Sequence, residues 1–395
     1  MWLSAEEALA RLRVKQQTLY ANVSRGRVRA KPDPNDPRRH LYRAEDVDRL
    51  ARRTTGRPPR AQVAREAMRW GDPILPSAVS TIAQGRLVYR GVDAVELSRR
   101  ATLEDVARFL WRWDAGTMVD RGRKAGGGGG LEGVFAALAE RAMADPPSYG
   151  RSPSALRVDA AKVFGAVGAA ICGVGDGPAH ERLASRWGRP EAADALRQAL
   201  VLLADHELNA STFAARVAVS TGASLSAGAL AGLAALSGPL HGTAATAVQT
   251  LAARAADVGA STALRERLDQ GERVPAFGHP LYPEGDVRAV SLLGAIELPT
   301  VYRALADRGR DLLGEEPNVD FALAAMAAAF GLPGTAPVAI FALARTVGWL
   351  AHMLEQAESG HLIRPRAQYV GDPPKRAGDT EIPQNRAVPA SGGLA

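Results

Sequence analysis

Residues 337–356 read Pro-Val-Ala-Ile-Phe-Ala-Leu-Ala-Arg345-Thr-Val-Gly-Trp349-Leu-Ala-His352-Met-Leu-Glu-Gln, and their patterning predicts a helix over the whole stretch. Working back from it, the same reading predicts helices over about 320–330, 300–313, 261–270, 242–256, 225–236, 211–221, 191–204, 154–173 and 131–144. Thr102-Leu-Glu-Asp105 opens one more with a capping box. In this body only residues 79–83 and 86–90, parted by Gln84-Gly85, read as strands, in a small hairpin; two more are expected in the first 53 residues, beginning at Arg27–Arg29 and returning over Arg38–Tyr42. The body is therefore expected to be all-α. Alanine and glycine dominate its helices and aromatics are only 5% of the chain, so close packing on small side chains is open to it.

Thr54-Thr-Gly-Arg-Pro-Pro59 marks a linker, taken over 54–71, and residues from about 373 read as a loose polar tail. The five glycines 126–130 read as a surface excursion; no Gly-Lys-Ser/Thr follows them, which argues against a phosphate cradle. At 395 residues, 46% hydrophobic and 23% charged, the composition excludes wholesale disorder and predicts two or three domains. Cys172 is the only cysteine, which excludes an intrachain disulfide and points to a reducing, cytoplasmic setting. The opening residues lack a basic region followed by an apolar stretch, so no signal peptide is expected. Apolar runs such as Val163–Val174 are shorter than the ~20 residues of a membrane span.

The net charge of +7 is not spread evenly. Residues 1–60 hold 15 basic against 7 acidic residues, and the remainder is nearly neutral, with 34 against 35. This is the pattern of an appended basic module. Within it, Ser4-Ala-Glu-Glu7 is a capping box that opens a short helix, and Lys15–Ser24 reads as a second. Arg27-Val-Arg29 and Arg38–Tyr42 flank a proline-rich turn, Pro32–Pro37, and Glu45–Arg53 reads as a third helix. Residues 2–53 resemble the winged helix-turn-helix of excisionase and MerR-like regulators. That resemblance implies Gln16, Gln17, Thr18 and Tyr20 in a major groove, with Arg25, Arg27, Arg38 and Arg39 on phosphates. The alternative is a small helical cap with a solvated basic face.

Three of the seven histidines sit in unusual settings: His206 after Asp205, His241 in Gly238-Pro-Leu-His-Gly, and His279 in Phe277-Gly-His-Pro. No His-x-x-x-His or cysteine cluster accompanies them, which argues against a metal, and no Gly-x-Ser-x-Gly elbow suggests a hydrolase. Arg288, Arg345 and Arg364 suit a small dicarboxylate, because a guanidinium pairs with a carboxylate as a fork. Asn318-Val-Asp320 places a carboxylate at a helix start.

Asp205-His206-Glu-Leu-Asn209, Gly238-Pro-Leu-His241-Gly, Phe277-Gly-His279, Pro317-Asn-Val-Asp320-Phe, Ala344-Arg345-Thr-Val-Gly-Trp349-Leu-Ala-His and Ile363-Arg364-Pro-Arg366 together resemble the citrate synthase family, in the family's order, over roughly residues 72–372. The resemblance implies an all-α large domain (72–242 with 345–372) and a smaller one (243–344) that closes over substrates. It also implies a homodimer with shared sites. It makes Asp320 the base toward acetyl-CoA or propionyl-CoA, His241 the donor to the thioester oxygen and His279 the donor to the ketone of oxaloacetate. His206, Arg288, Arg345, Asn318 and, from the neighbouring subunit, Arg364 would bind oxaloacetate. No metal or other cofactor is implied. Two departures stand out. Leu203 replaces a histidine frequent in the family, and Pro280-Leu-Tyr-Pro-Glu-Gly-Asp-Val-Arg288 lacks the basic residues of the usual Arg-Val-Tyr-Lys stretch. The expected reaction is acyl-CoA:oxaloacetate condensation followed by thioester hydrolysis. The alternatives are a citryl-CoA lyase and a DNA-binding regulator that uses this fold as a metabolite sensor.

Overall fold

The computed structural model describes residues 2–12, 19, 23, 28–33, 36–44, 46–47, 75–113, 130–238, 241–242, 244–367 and 369–371. The expected linker at 54–71, most of the glycine run and the tail from 373 lie outside them. The chain forms two units, one of residues 1–74 with 365–395 and the other of residues 75–364.

In the first unit the capping box forms as its sequence requires. Glu7 N donates to Ser4 Oγ at 3.2 Å and Ser4 N to the Glu7 carboxylate at 2.8 Å, starting helix Ala5–Leu12. The second expected strand runs further than its patterning indicates, as Asp36–Arg43, whereas the first forms as Ala30–Asp33, just beyond Arg27–Arg29; Pro32, Asp33, Asp36 and Pro37, expected in the turn, therefore belong to strands. Trp2–Leu3, too short to carry a pattern, adds a third strand on the other side of Asp36–Arg43. Leu3, Ala8, Leu12, Leu19, Val28, Tyr42, Ala44 and Val47 form its small core. Gln16, Gln17, Thr18, Tyr20, Arg25 and Arg27 lie outside the described residues, as do the side chains of Arg38 and Arg39.

The second unit is mostly helical. Helices Leu131–Ala144, Leu225–Leu236 and Thr300–Leu313 occupy the expected residues. Three short helices, Ala94–Ser98, Ala179–Arg186 and Val287–Gly294, are additional. At this length apolar periodicity carries little signal, and the first and third depend instead on their N-caps Asp93 and Asp286. The hairpin pairs Ser80–Ala83 with Arg86–Tyr89, in register Ser80↔Tyr89, and Val92–Asp93 extends it.

The stretch at 337–356 becomes the helix Ala336–Ser359, buried continuously from Ala339 to Leu354. Its apolarity would suit a membrane span by length alone, but 94% of its most apolar window is covered by the rest of this fold. Small residues let it come close to its neighbours. Gly232 leaves room for the Trp349 indole. Gly348 N donates to Ala204 O at 2.9 Å, and a side chain there would collide with the Asp205 carboxylate. A second cluster of buried residues, confined between Ala245 and Ala325, includes Leu251, Phe277, Tyr302, Leu305 and Phe321. Leu293 and Ile296 pack against both clusters.

Candidate active site

Helix Ala193–Leu203 ends in the turn Asp205-His206-Glu207, which the hairpin grips. Ser80 Oγ donates to the Asp205 carboxylate and accepts from Glu207 N at 3.0 Å. The Glu207 carboxylate accepts from Ile82 N at 2.6 Å and from the Thr81 hydroxyl at 3.1 Å. Tyr89 Oη accepts from Asp205 N at 3.1 Å and lies 3.0 Å from Val201 O, where it donates. These bonds hold Glu207 at φ 52°, a left-handed conformation costly for a residue with a side chain. Asp205 is fully buried, with Oδ2 3.1 Å from His352 Nε2. Burial pushes its pKa up, but His352, Arg345 and Ser80 hold it below the usual carboxylate range.

Asn209 caps the next helix, Ala210–Ser220, its Oδ1 accepting from Thr212 N at 3.1 Å. Ser211 Oγ lies 2.7 Å from that same oxygen, accepts from Trp349 Nε1 at 3.1 Å and lies 2.9 Å from His241 Nε2. Its single hydrogen is given to Asn209 Oδ1, and the contact with His241 Nε2 takes its direction from the tautomer of that ring. Burial first, and then Arg345, lower the His241 pKa to about 4.

His279 and Asp320 are carried on two segments tied together. Phe277 and Pro317 form a β-bridge, Gly278 N donates to Glu316 O at 2.8 Å, and Asn318 N to Ala276 O at 2.9 Å. Gly278 has φ 68°, and a side chain there would meet the Glu315 carboxylate. Asn318 Oδ1 accepts from Asp320 N at 3.0 Å and caps helix Val319–Ala329, while Nδ2 donates to Gly278 O at 3.1 Å. Asn318 thus acts as a clasp between the two segments, one bond at each end of its amide, with a second N–H and a second lone pair left over. His279 Nδ1 accepts from Leu281 N at 3.2 Å, so its ring is a donor through Nε2. Burial, then Arg288, lower its pKa to about 4. Asp320 Oδ1 is shielded from solvent and has no hydrogen-bond partner among the described residues, and burial raises its pKa to about 6 against the pull of Arg288.

Arg288 is buried in the first turn of helix Val287–Gly294, its Nε and Nη2 on the two oxygens of Asp286 at 2.9 and 2.7 Å. Val319 N also donates to Asp286, which links Arg288 to the helix of Asp320. Arg345, 1% exposed, donates Nε to Leu203 O at 3.0 Å and lies over the Phe341 ring at 4.7 Å. Its Nη2 is buried without a partner among the described residues, and burial lowers the pKa of the group to about 10. His206 sits among these groups. Burial, then Arg288 and Arg345, hold it well below the ordinary histidine value. Its ring centroid is 5.2 Å from that of His279, edge to face. His206, His241, His279, Arg288, Arg345 and Asp320 therefore share one region. Arg364 does not join them; it is exposed and makes no hydrogen bond or ion pair among the described residues.

The sequence pattern of the family described as citrate synthase, C-terminal domain, matches residues 167–366. The chain belongs to the citrate synthase family. Citrate synthase 2 of Bacillus subtilis is 39% identical over 193 residues, 46% of this chain and 52% of that one. A 2-methylcitrate synthase of Mycobacterium tuberculosis is 35% identical over 195 residues, 46% and 50% of the two chains. The chain thus spans about half the length of the curated relatives it matches. Among solved citrate synthase structures, that from Thermotoga maritima aligns with TM-score 0.63 at 26% identity, covering 78% of this chain and 96% of its own. The Thermoplasma acidophilum enzyme, in ternary complex with carboxymethyl coenzyme A and oxaloacetate, aligns with TM-score 0.64 at 25% identity, covering 77% and 96%.

Within this citrate synthase fold several residues work that their sequence setting did not single out. Ser211 has only its place two residues after the Asn209 cap, and Asp286 its place two residues before Arg288. Tyr282 lies three residues after His279, where its hydroxyl comes 3.0 Å from His206 Nε2.

Proposed function

We propose that this chain joins an acyl-CoA, acetyl- or propionyl-, to oxaloacetate and hydrolyses the product thioester to citrate or 2-methylcitrate and CoA. The observation that carries this reading is a pair of buried atoms without partners among the described residues, Arg345 Nη2 and Asp320 Oδ1, among three histidines held neutral. A buried guanidinium left open calls for an anion, and a carboxyl with a pKa near 6 is a base matched to neutral pH.

In this reading Asp320 removes a proton from the carbon next to the thioester. The C–H electron pair moves into the new C=C bond, and charge gathers on the thioester oxygen, where His241 donates a hydrogen bond. A neutral donor is well matched to an enol oxygen, and donors fixed in advance do not reorganise during the reaction. The enolate carbon then attacks the ketone carbon of oxaloacetate and the C=O electron pair moves onto the ketone oxygen, to which His279 Nε2 donates a hydrogen bond; that oxygen is protonated from water, and Asp320 returns its proton to solvent. Arg288, Arg345 and His206 hold the carboxylates, with Arg364 of the partner subunit completing a homodimeric site. Water finally attacks the thioester carbon and the CoA thiolate leaves. We assign 72–242 with 345–372 to the large domain and 243–344 to a smaller one whose closure excludes water. The single, buried Cys172 suits a cytoplasmic setting. The names of the relatives support both acyl groups.

Thiol release by the purified chain tests the reading. Release is expected only when oxaloacetate and an acyl-CoA are both present, and the faster acyl-CoA identifies the product. Silence with both acyl-CoAs would sink the proposal.

We further propose that residues 1–53 form a winged helix-turn-helix that contacts DNA. Gln16, Gln17, Thr18 and Tyr20 would enter the groove, and Arg25, Arg27, Arg38 and Arg39 would lie on phosphates. The concentration of positive charge in the first 60 residues, and a helix packed with a three-stranded sheet, support this. In a gel shift on DNA from upstream of its own coding region, binding is expected to weaken steeply with salt and to be lost when the four arginines become alanine. Binding indifferent to those substitutions would refute the assignment.

A further inference from the structure

We propose that Tyr282 is a positioning residue: its phenol donates to His206 Nε2 and so fixes the ring hydrogen of His206 on Nδ1. The inference rests on the condensation reading for its purpose, though not for its geometry. Tyr282 is 2% exposed and packs against three groups placed around oxaloacetate. Its ring is 5.6 Å from that of His206 and 5.1 Å from that of His279, and the Arg288 guanidinium lies 5.2 Å from its centroid. The segment that bears it, Pro280–Val287, is where this chain departs from its family's basic stretch.

The hydrogen inventory decides the direction of the bond. Among the described residues the Tyr282 hydroxyl has one hydrogen-bond partner, His206 Nε2 at 3.0 Å. Were Nε2 the donor, the phenol hydrogen would be left without an acceptor in a buried position, an arrangement proteins avoid. An imidazolium is disfavoured by burial and by Arg288 and Arg345, so the ring keeps one lone pair to receive the phenol. Burial raises the phenol pKa, so it keeps the hydrogen it donates.

The consequence concerns the substrate. Oxaloacetate as a dianion offers only acceptor oxygens. A neutral imidazole with its hydrogen on Nε2 has a lone pair on Nδ1, which repels such oxygens; the opposite tautomer attracts them. One phenol thus sets whether His206 helps or hinders binding of the keto acid.

Nitrogen-15 NMR of the histidine rings in the full chain, with His206 assigned through a His206→Gln variant, reads the tautomer directly. The wild type is expected to show a pyrrole-like Nδ1 and a pyridine-like Nε2. In Tyr282→Phe the tautomers should mix, with KM for oxaloacetate rising roughly tenfold. KM for the acyl-CoA should stay within about twofold, a split that general loosening of the fold would not produce. An Nε2–H ring in the wild type overturns the proposal, as does a Tyr282→Phe variant with unchanged tautomer and KM. If that variant does not fold, the wild-type spectrum still decides. A wild type that shows the Nδ1–H ring yet releases no thiol would uphold this assignment and fell the condensation reading alone.

Discussion

Asp320→Asn is expected to lower kcat roughly a thousandfold and, in the same molecule, to make the protein more stable at pH 8. The two effects have one source. Asp320 Oδ1 is buried without a partner, and burial lifts its pKa from 3.8 to about 6. The folded state therefore holds the proton more tightly than the unfolded chain does. Such a group adds no penalty while both states are protonated, below about pH 4. Stability then falls as pH rises toward 6 and levels off once the folded carboxyl has ionised. A rise of this size corresponds to about 2–3 kcal/mol at the plateau. Asparagine never ionises, so the variant should gain on the wild type between pH 4 and 6 and keep the gain above. Urea unfolding of both proteins across this range measures the difference, in which the other carboxylates cancel. Equal stability throughout would mean that the Asp320 carboxyl is well solvated. In the wild type, kcat/KM should rise with an apparent pKa near 6 as the base loses its proton.

Arg345→Met should raise KM for oxaloacetate roughly a hundred- to a thousandfold, the effect of removing one side of a desolvated charged contact worth about 3–4 kcal/mol. KM for the acyl-CoA should change far less. Among the described residues Arg345 has no carboxylate in contact and leaves Nη2 open, so its burial is a standing cost to the unliganded protein. Methionine can keep the apolar contact with Phe341, and the variant is expected to unfold at no lower urea concentration than the wild type. Arg345→Lys should not rescue binding, because lysine cannot bond Leu203 O through Nε and still present a fork. An oxaloacetate KM close to that of the wild type in Arg345→Met would show that the open guanidinium faces something other than the keto acid.

The long helices were legible because each spans several turns, so that their apolar spacing repeats. The buried helix Ala336–Ser359 differs from its sequence reading by one residue at the start and three at the end. The histidines and Asp320 were legible through their settings in turns and caps, where a functional group stands out from a helical face. Their supports were not. Ser80 and Tyr89 act on Asp205 from more than a hundred residues away along the chain. No local pattern announces such a contact. Asn318 has a second part that its place beside Asp320 did not announce: only the fold reveals that it ties Gly278 O to Asp320 N.

The stitching of Ala276–Gly278 to Glu316–Asn318 also sets a rule for anyone who rebuilds this protein. The donor at 279 and the base at 320 are not independent parts. They behave as a cassette, whose spacing is written in backbone bonds and one asparagine rather than in the side chains that do the chemistry. Grafting either loop alone from a relative would import half a register, and a residue inserted between 310 and 317 would shift the seam and misalign both groups together. Exchanged as a pair, the two segments carry their geometry with them, which makes them the natural unit for recombination within the family.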